Sequence, residues 1–298
     1  MSAIAVFINP RSGRGHAREL WEALSRSEPR LQSARVVAAP DAQRARDELV
    51  QVLSEPAERV LVLGGDGTAH LVGNVLLDLG LGAKVALGVI PAGTGSDLAR
   101  ALRLPAGPRA ALARALDATP WKMDVLLVEA DDGRRRHVLN VASAGISGLV
   151  DQAVNALSRR GTLAYLSATL GAVGRYRNVP CRVTVDGDVW HEGEILLVAI
   201  ANGATFGNGM KVAPDARPDD GAADVVLVGP IPRWQLPLRL PQIYLGTHVH
   251  ARYVRTGRAQ RVRLEPLGPF PPFDVDGEVF AAAAATVTLV PGALLVAA

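Results

Sequence analysis

Asp66 is the residue whose surroundings say most about chemistry. It lies in Val60-Leu61-Val62-Leu63-Gly64-Gly65-Asp66-Gly67-Thr68, with Val72, Val75, Leu76 and Leu79 following at helical spacing. Four apolar residues read as a buried parallel strand, and the spacing beyond the glycines reads as a helix. Glycines let backbone N–H groups turn toward one point, and a helix N-terminus adds partial positive charge there. That combination is an anion site, and phosphate is its usual occupant. A carboxylate inside it repels phosphate unless a cation intervenes, and Mg²⁺ bridging Asp66 and phosphates resolves the conflict. The alternative is a tight strand–helix turn with a solvated Asp.

Two more glycine loops belong to the same pattern. Ile4–Ile8 leads into Asn9-Pro10-Arg11-Ser12-Gly13, then a helix with Leu20, Trp21 and Leu24 on one face. Val85–Ile90 leads into Pro91-Ala92-Gly93-Thr94-Gly95-Ser96-Asp97. A further strand is expected at Arg35–Ala38, with a helix through Ala45–Leu53. Apolar strands alternating with helices imply a parallel sheet covered on both faces, with ligands at the carboxyl ends of its strands. The three loops can therefore converge on one crevice.

Beyond Trp121 short strands and turn signals dominate. Strands are expected at Met123–Val128, His137–Val141, Arg182–Val185, Val189–His191, Ile195–Ala201, Asp224–Val228, Arg261–Leu264, Phe273–Val275 and Thr286–Val290. Asp186-Gly187-Asp188 is a hairpin signal. Helices are expected at Thr162–Val173, with Leu163, Leu166, Leu170 and Val173 inward, and at Pro232–Leu245, broken by Pro237 and Pro241. The fold class is an α/β N-terminal domain, residues 1–123, followed by a mostly antiparallel β-sandwich, residues 124–298.

Composition bounds the function. Apolar residues make up 49% of the 298, enough for a sizeable core, and the net charge of +3 is too small to argue for nucleic acid. A single cysteine, Cys181, excludes an internal disulfide and fits a reducing compartment. No apolar run reaches the roughly 20 residues that span a bilayer. Ile4–Ile8 is too short for a signal peptide and lacks a basic flank. The expectation is a cytoplasmic protein, peripherally associated with a membrane, and compatible with a homodimer.

In this order the motifs resemble the diacylglycerol kinase catalytic-domain family, which includes bacterial lipid kinases and sphingosine and ceramide kinases. The loops at Asn9–Gly13, Gly64–Thr68 and Gly93–Asp97 resemble its nucleotide loops. Asn202-Gly203, Gly209-Met210-Lys211 and Ala213–Gly221 resemble its second-domain signature, and Asp276-Gly277-Glu278 its catalytic Asp-Gly-Glu. The resemblance implies an NAD-kinase-like fold and ATP- and Mg²⁺-dependent phosphoryl transfer to a lipid hydroxyl at the membrane interface. It implies nucleotide contacts from Asn9, Ser12, Gly13, Gly64, Gly65, Asp66, Gly67, Thr68, Gly93 and Thr94. It implies a Mg²⁺ network of Asp66, Asp97 and Asp124. A second, structural Mg²⁺ is implied at Asp220 with the carbonyls of Arg217 and Ala222. Asp276 is implied as general base, with Glu278 orienting it or holding metal; if the segment is extended, both lie on one face. A lone Asp-Gly-Glu would more often be a polar hairpin turn; its place after the other motifs carries the resemblance.

The chain departs from the pattern at Leu71, where Glu is usual, at Ser96, where Asn is usual, and at Ile146-Ser147, where Phe-Asp is usual. Ala38-Ala39 stand where Thr is common. The rival readings are an NAD kinase, which shares the Gly-Gly-Asp-Gly loop, and a catalytically silent lipid-binding or regulatory protein. Arg134-Arg135-Arg136, Arg159-Arg160, and Arg175 with Arg177 could touch an anionic membrane, but solvated loop faces are the commoner use. His248-Val249-His250 lacks a third metal ligand nearby.

Overall fold

The computed structural model describes residues 4–39, 41–92, 96–156 and 171–298. It divides into two compact units, Met1–Val125 with Pro291–Ala298, and Leu126–Val290. The first crossing lies two residues from the expected boundary. The return of the C-terminal residues to the first unit is a correction to a simple 1–123 and 124–298 division.

In the first unit β1 (Ile4–Ile8), β2 (Arg35–Val37), β3 (Arg59–Gly64) and β4 (Ala86–Pro91) form a parallel sheet in the order β2-β1-β3-β4. Val60–Gly64 are all buried, as a central parallel strand covered on both faces requires. The helices are α1 (Ala17–Ser27), α2 (Ala42–Leu53), α3 (Asp66–Asp78), α4 (Asp97–Ala101) and α5 (Pro108–Asp117). Close approach of α5 makes Gly88 necessary, since a Cβ there would lie 2.7 Å from Cβ of Ala115. The C-terminal segment extends the sheet: Val296 pairs parallel with Leu87, and the Leu295 amide donates to the Gly82 carbonyl at 2.7 Å.

The chain leaves the first unit within β5 (Trp121–Ala130) and returns within the last strand, Ala285–Val296. In the second unit come β6 (Arg135–Val138), β7 (Val141–Gly145), α6 (Ile146–Asn155), β8 (Val179–Val185), β9 (Asp188–Ile195), β10 (Leu197–Ala201), β11 (Ala223–Val228), β12 (Val254–Ala259), β13 (Arg261–Pro266), β14 (Phe273–Val275) and β15 (Glu278–Phe280). One antiparallel sheet runs β12-β11-β10-β7-β14-β15. Facing it, β13 pairs antiparallel with β8 and with Ala285–Thr288, β8 pairs with β9, and β5 with β6. Val198, Ile200 and Val225 of the first sheet share one core with Val183, Val262 and Val287 of the second. The outer face of the first sheet is covered as well, Ala199 and Val226 packing with Val212 and Ile231. That explains why Leu197–Ala201 is apolar throughout.

Three expectations change. His137–Val141 is not one strand, because β6 ends at Val138 and β7 begins at Val141. Most of the helix expected at Thr162–Val173, with Leu163, Leu166 and Leu170, lies outside the described residues, as do Arg159 and Arg160; residues 171–175 are helical. At Pro232–Leu245 the helix starts at Leu236, after a short 3₁₀ turn over Arg233–Gln235, and continues past Pro241. His248 is buried and donates from Nε2 to the Val212 carbonyl, a core role; burial holds its pKa below the usual value.

Candidate active site

Asp276 and Gly277 are the two central residues of the β14–β15 hairpin, with φ of +55° and +83°. Both angles positive is the turn that matches strand twist, and Asp-Gly is well suited to it. Asp276 is therefore not in an extended segment, and its two-residue spacing from Glu278 does not set a common face. Its carboxylate instead reaches into the break between β6 and β7. Oδ2 accepts from the Leu139 amide at 2.7 Å, and Oδ1 from the Asn140 and Val141 amides, both at 3.0 Å. These three bonds are why the expected strand breaks there: its amides face a carboxylate instead of a neighbouring strand.

The carbonyls of the same break meet the signature segment at Asn202. The Asn202 and Gly203 amides donate to the Asn140 carbonyl at 2.8 and 3.0 Å, and Nδ2 of Asn202 donates to the Leu139 carbonyl at 2.8 Å. Asn140 adds a bond from Nδ2 to the Thr205 carbonyl at 2.7 Å. Asn202-Gly203 and Asp276 thus grip one tripeptide from opposite sides. Sequence reasoning named both and missed Asn140 between them.

Beneath the turn lies an acid pair, Asp274 buried and Asp151 half-buried, that sequence reasoning also missed. Asp274 accepts from the Gly277 amide at 2.8 Å and from Oγ of Ser143 at 2.9 Å; Ser143 and Ser147 hydroxyls are 2.8 Å apart. The carboxyl of Asp151 on α6 bonds to that of Asp274. Burial, then the charge of Asp274, pushes the Asp151 pKa up to about 9, and burial pushes Asp274 up as well, so the pair holds a proton at neutral pH. Ser147 occupies a position where the family pattern has Asp, and Asp151, one helical turn later, brings a carboxyl to the same network. The signal was present in Phe273-Asp274-Val275, where a carboxylate interrupts an apolar strand.

In the first unit, Asn9 ties two of the glycine loops together. Its Nδ2 donates to Oγ1 of Thr68 at 3.0 Å, and its Oδ1 accepts from the Arg11 amide at 3.0 Å. Ser12 and Gly13 follow in a 3₁₀ turn, and the Ser12 amide donates to the Asn9 carbonyl. Gly65 is the N-cap of α3, so the first-turn amides, which a helix cannot satisfy itself, start at this loop. Gly64 must lack a side chain because a Cβ there would lie 2.6 Å from Thr68, whereas Gly67 borders open space. Gly93 and Thr94 lie outside the described residues.

Asp66 has a structural task that the sequence did not show. Its Oδ2 accepts from the Asp97 amide at 2.9 Å and its Oδ1 from the Leu98 amide at 3.2 Å. Ser96, the formal N-cap of α4, makes no side-chain capping bond, so Asp66 caps α4 from another loop. Asp97 is buried and pairs with Arg100 at 2.9 Å, and Asp124, also buried, accepts from the Gly292 amide at 2.8 Å. Among the described residues no three of His, Cys, Asp and Glu converge as a metal-ligand cluster. The acids fit Mg²⁺ only in the manner usual for nucleotide sites, with one or two carboxylates and the remaining ligands from phosphate and water.

The second metal expectation does not fit. Asp220 pairs with Arg258 at 2.5 Å and accepts from the Ala222 amide at 3.3 Å. Arg217 pairs with Asp219 at 3.5 Å. A guanidinium already neutralises Asp220 where the cation was expected, so no role is derived for metal there. Burial first, then Asp220 and Asp215, pushes Asp224 up to about 6 against the opposing charge of Arg258.

A parallel sheet with glycine loops at its strand ends, chained to an antiparallel sandwich with a turn carboxylate, defines the architecture of the two units. The fold is similar to that of a proposed diacylglycerol kinase from Bacillus anthracis, with a TM-score of 0.75, 22% identity, and 99% of this chain and 96% of that one covered. It is also similar, at TM-score 0.52 and 13% identity over 99% and 93%, to an Archaeoglobus fulgidus NAD kinase solved in complex with ATP. Residues 3–128 match the diacylglycerol kinase catalytic domain, and residues 140–298 match the YegS C-terminal NAD kinase beta sandwich-like domain. A diacylglycerol kinase of Mycobacterium tuberculosis is 31% identical over 98% of this chain and 94% of its own length. The chain belongs to the diacylglycerol kinase family and is a lipid kinase.

Proposed function

We propose that this kinase transfers the γ-phosphate of ATP to a primary hydroxyl of a neutral two-chain lipid, diacylglycerol before sphingoid or ceramide-type lipids. The observation that carries the reading is the Asp276 carboxylate, fixed by three amides in the family's Asp-Gly-Glu and underlain by an acid pair. In the reaction the lipid oxygen bonds to the γ-phosphorus, the bond to the β–γ bridging oxygen breaks, and ADP leaves. The hydroxyl proton passes to Asp276. Glu278 orients Asp276 or helps hold metal.

Asn9, Ser12 and Thr68, with the amides of Gly65, Gly67, Gly93 and Thr94, hold phosphate and ribose. When bound, Mg²⁺ supplies the positive charge that lets Asp66 and the phosphates share one site; Asp66 would hold it, supported by Asp97 and Asp124. The protein works from the cytoplasm as a peripheral enzyme, and among its described residues no helix is long and apolar enough to cross a membrane. Labelled ATP offered with diacylglycerol, sphingosine, ceramide, a polyprenol and NAD⁺ in parallel tests the reading. Diacylglycerol should be labelled first; label on NAD⁺ alone would overturn it.

A further inference from the structure

We propose that the helix Leu236–Leu245, with Trp234 just before it, docks the protein on an anionic membrane surface. The inference rests on the lipid-kinase reading for its purpose, but its observations are separate. The polarity of this helix is reversed. Gln235, Arg239 and Gln242, spaced four and three apart, make its side-chain contacts: Arg239 lies over the Tyr253 ring at 4.9 Å and reaches Gln235 at 3.3 Å. Oε1 of Gln242 accepts from the Tyr253 hydroxyl at 2.8 Å, and the Ile243 carbonyl accepts from the Lys211 amide at 2.9 Å. No residue of the helix is buried.

Leu236 packs on the core, and most of the other apolar residues point the other way. Trp234, Leu238, Pro241 and Leu245, spaced four, three and four apart, share one helix face. Trp234 is 70% exposed, and Leu238 and Leu245 are each 69% exposed, with Tyr244 and Leu240 beside them. Five of the eleven large apolar side chains exposed among the described residues fall within positions 234–245. Such a concentration marks an interaction site. Gly246 closes the helix at φ +78°, where a Cβ would lie 3.0 Å from Pro214.

Charge selects the partner. Residues 225–264 contain no Asp or Glu and seven arginines. Arg258 and Arg263 pair with Asp220 and Asp131, whereas Arg252 and Lys211 are exposed, Lys211 beside the last turn of the helix. Elsewhere, Arg134 and Arg135 are engaged by Asp132 and Glu129. Exposed leucines between Trp and Tyr, on a stretch of chain that carries arginines and no acid, match an interfacial helix that seats in the headgroup region of anionic lipid.

Flotation with phosphatidylcholine vesicles, with and without phosphatidylglycerol, tests this. Leu238→Glu/Leu245→Glu should lower partitioning onto phosphatidylglycerol vesicles by at least about tenfold. Val189→Glu, the same type of change at a 62% exposed residue of β9, should leave it unchanged. A blue shift of tryptophan emission on vesicles should vanish in Trp234→Phe. Equal melting temperatures would tie any loss to the surface and not to folding. Wild-type partitioning by the double variant would overturn the proposal. So would a vesicle-free dimer that the double variant dissociates, since that assigns the face to a second copy. Flotation needs no catalysis, so vesicle binding without phosphorylation of any lipid would overturn the substrate reading and leave the docking surface standing.

Discussion

Two Asp-Gly turns in the second unit have the same local form and different surroundings. Asp186 and Gly187 join β8 to β9 with φ of +50° and +100°, close to the values at Asp276 and Gly277. In both, the Asp carboxylate accepts backbone amides from another strand: Gln260 and Arg261 for Asp186, at 3.0 and 2.8 Å, and residues 139–141 for Asp276. In both, the Asp amide donates to a carbonyl of that partner segment, Arg261 or Val141. Asp186 is exposed. Asp276 is partly enclosed, sits above Asp274 and Asp151, and shares its partner segment with Asn202 and Gly203. The turn alone is a structural device, and what surrounds it is what makes one of the pair a candidate for chemistry.

The sharpest break of that equivalence is Asp276→Asn against Asp186→Asn. The first should lower kcat by about 10²–10⁴ with ATP affinity near normal, as expected when a positioned base is lost. The second should leave kcat unchanged and lower Tm by about 3 °C, since it removes only charge-assisted anchoring bonds. Steady-state assays and melting curves on both decide it. Equal activity would reduce Asp276 to a second anchor.

A matched pair in the first unit comes next. Asp66 caps α4, and Asp41 caps α2 through the Arg44 amide at 2.9 Å. Either Ala variant should lose about 1 kcal/mol of stability. Only Asp66→Ala should also abolish Mg·ATP binding in calorimetry; intact binding would leave Asp66 a cap and nothing more.

The acid pair adds a pH signature that Asp186 lacks. With its folded pKa near 9 against an ordinary 3.8, Asp151 keeps a proton on folding that the unfolded chain releases. Its stabilising contribution is complete below about pH 4 and is lost as pH rises toward 9. Wild-type Tm should therefore fall between pH 6 and 9, and Asp151→Asn should flatten that fall. Identical slopes would remove the shared proton. The smallest effect concerns Arg258. Mg²⁺ without nucleotide should leave wild-type Tm unchanged. It should raise that of Arg258→Ala by about 1–2 °C, as a native-state ligand replacing the guanidinium.

Much of the frame was legible in the residues themselves. The apolar runs at Ile4–Ile8 and Val60–Leu63, the glycine loops after them, and the Asp186-Gly187 turn follow from short-range terms: burial on two faces, positive φ, and capping. The order of those motifs carried the family. Spacing could not show that Asp66 caps a helix 31 residues away, or that Asp276 holds amides more than 130 residues earlier. Nor could it show that Arg258 pairs with Asp220, or that the Pro232–Leu245 segment turns Trp234, Leu238 and Leu245 outward. A single sequence records the local preferences of backbone and side chain. Pairings between distant carboxylates, amides and guanidinium groups depend on the path of the chain, so only the tertiary structure decides which of several chemically equivalent acids is a cap, an anchor, a proton store or a candidate base.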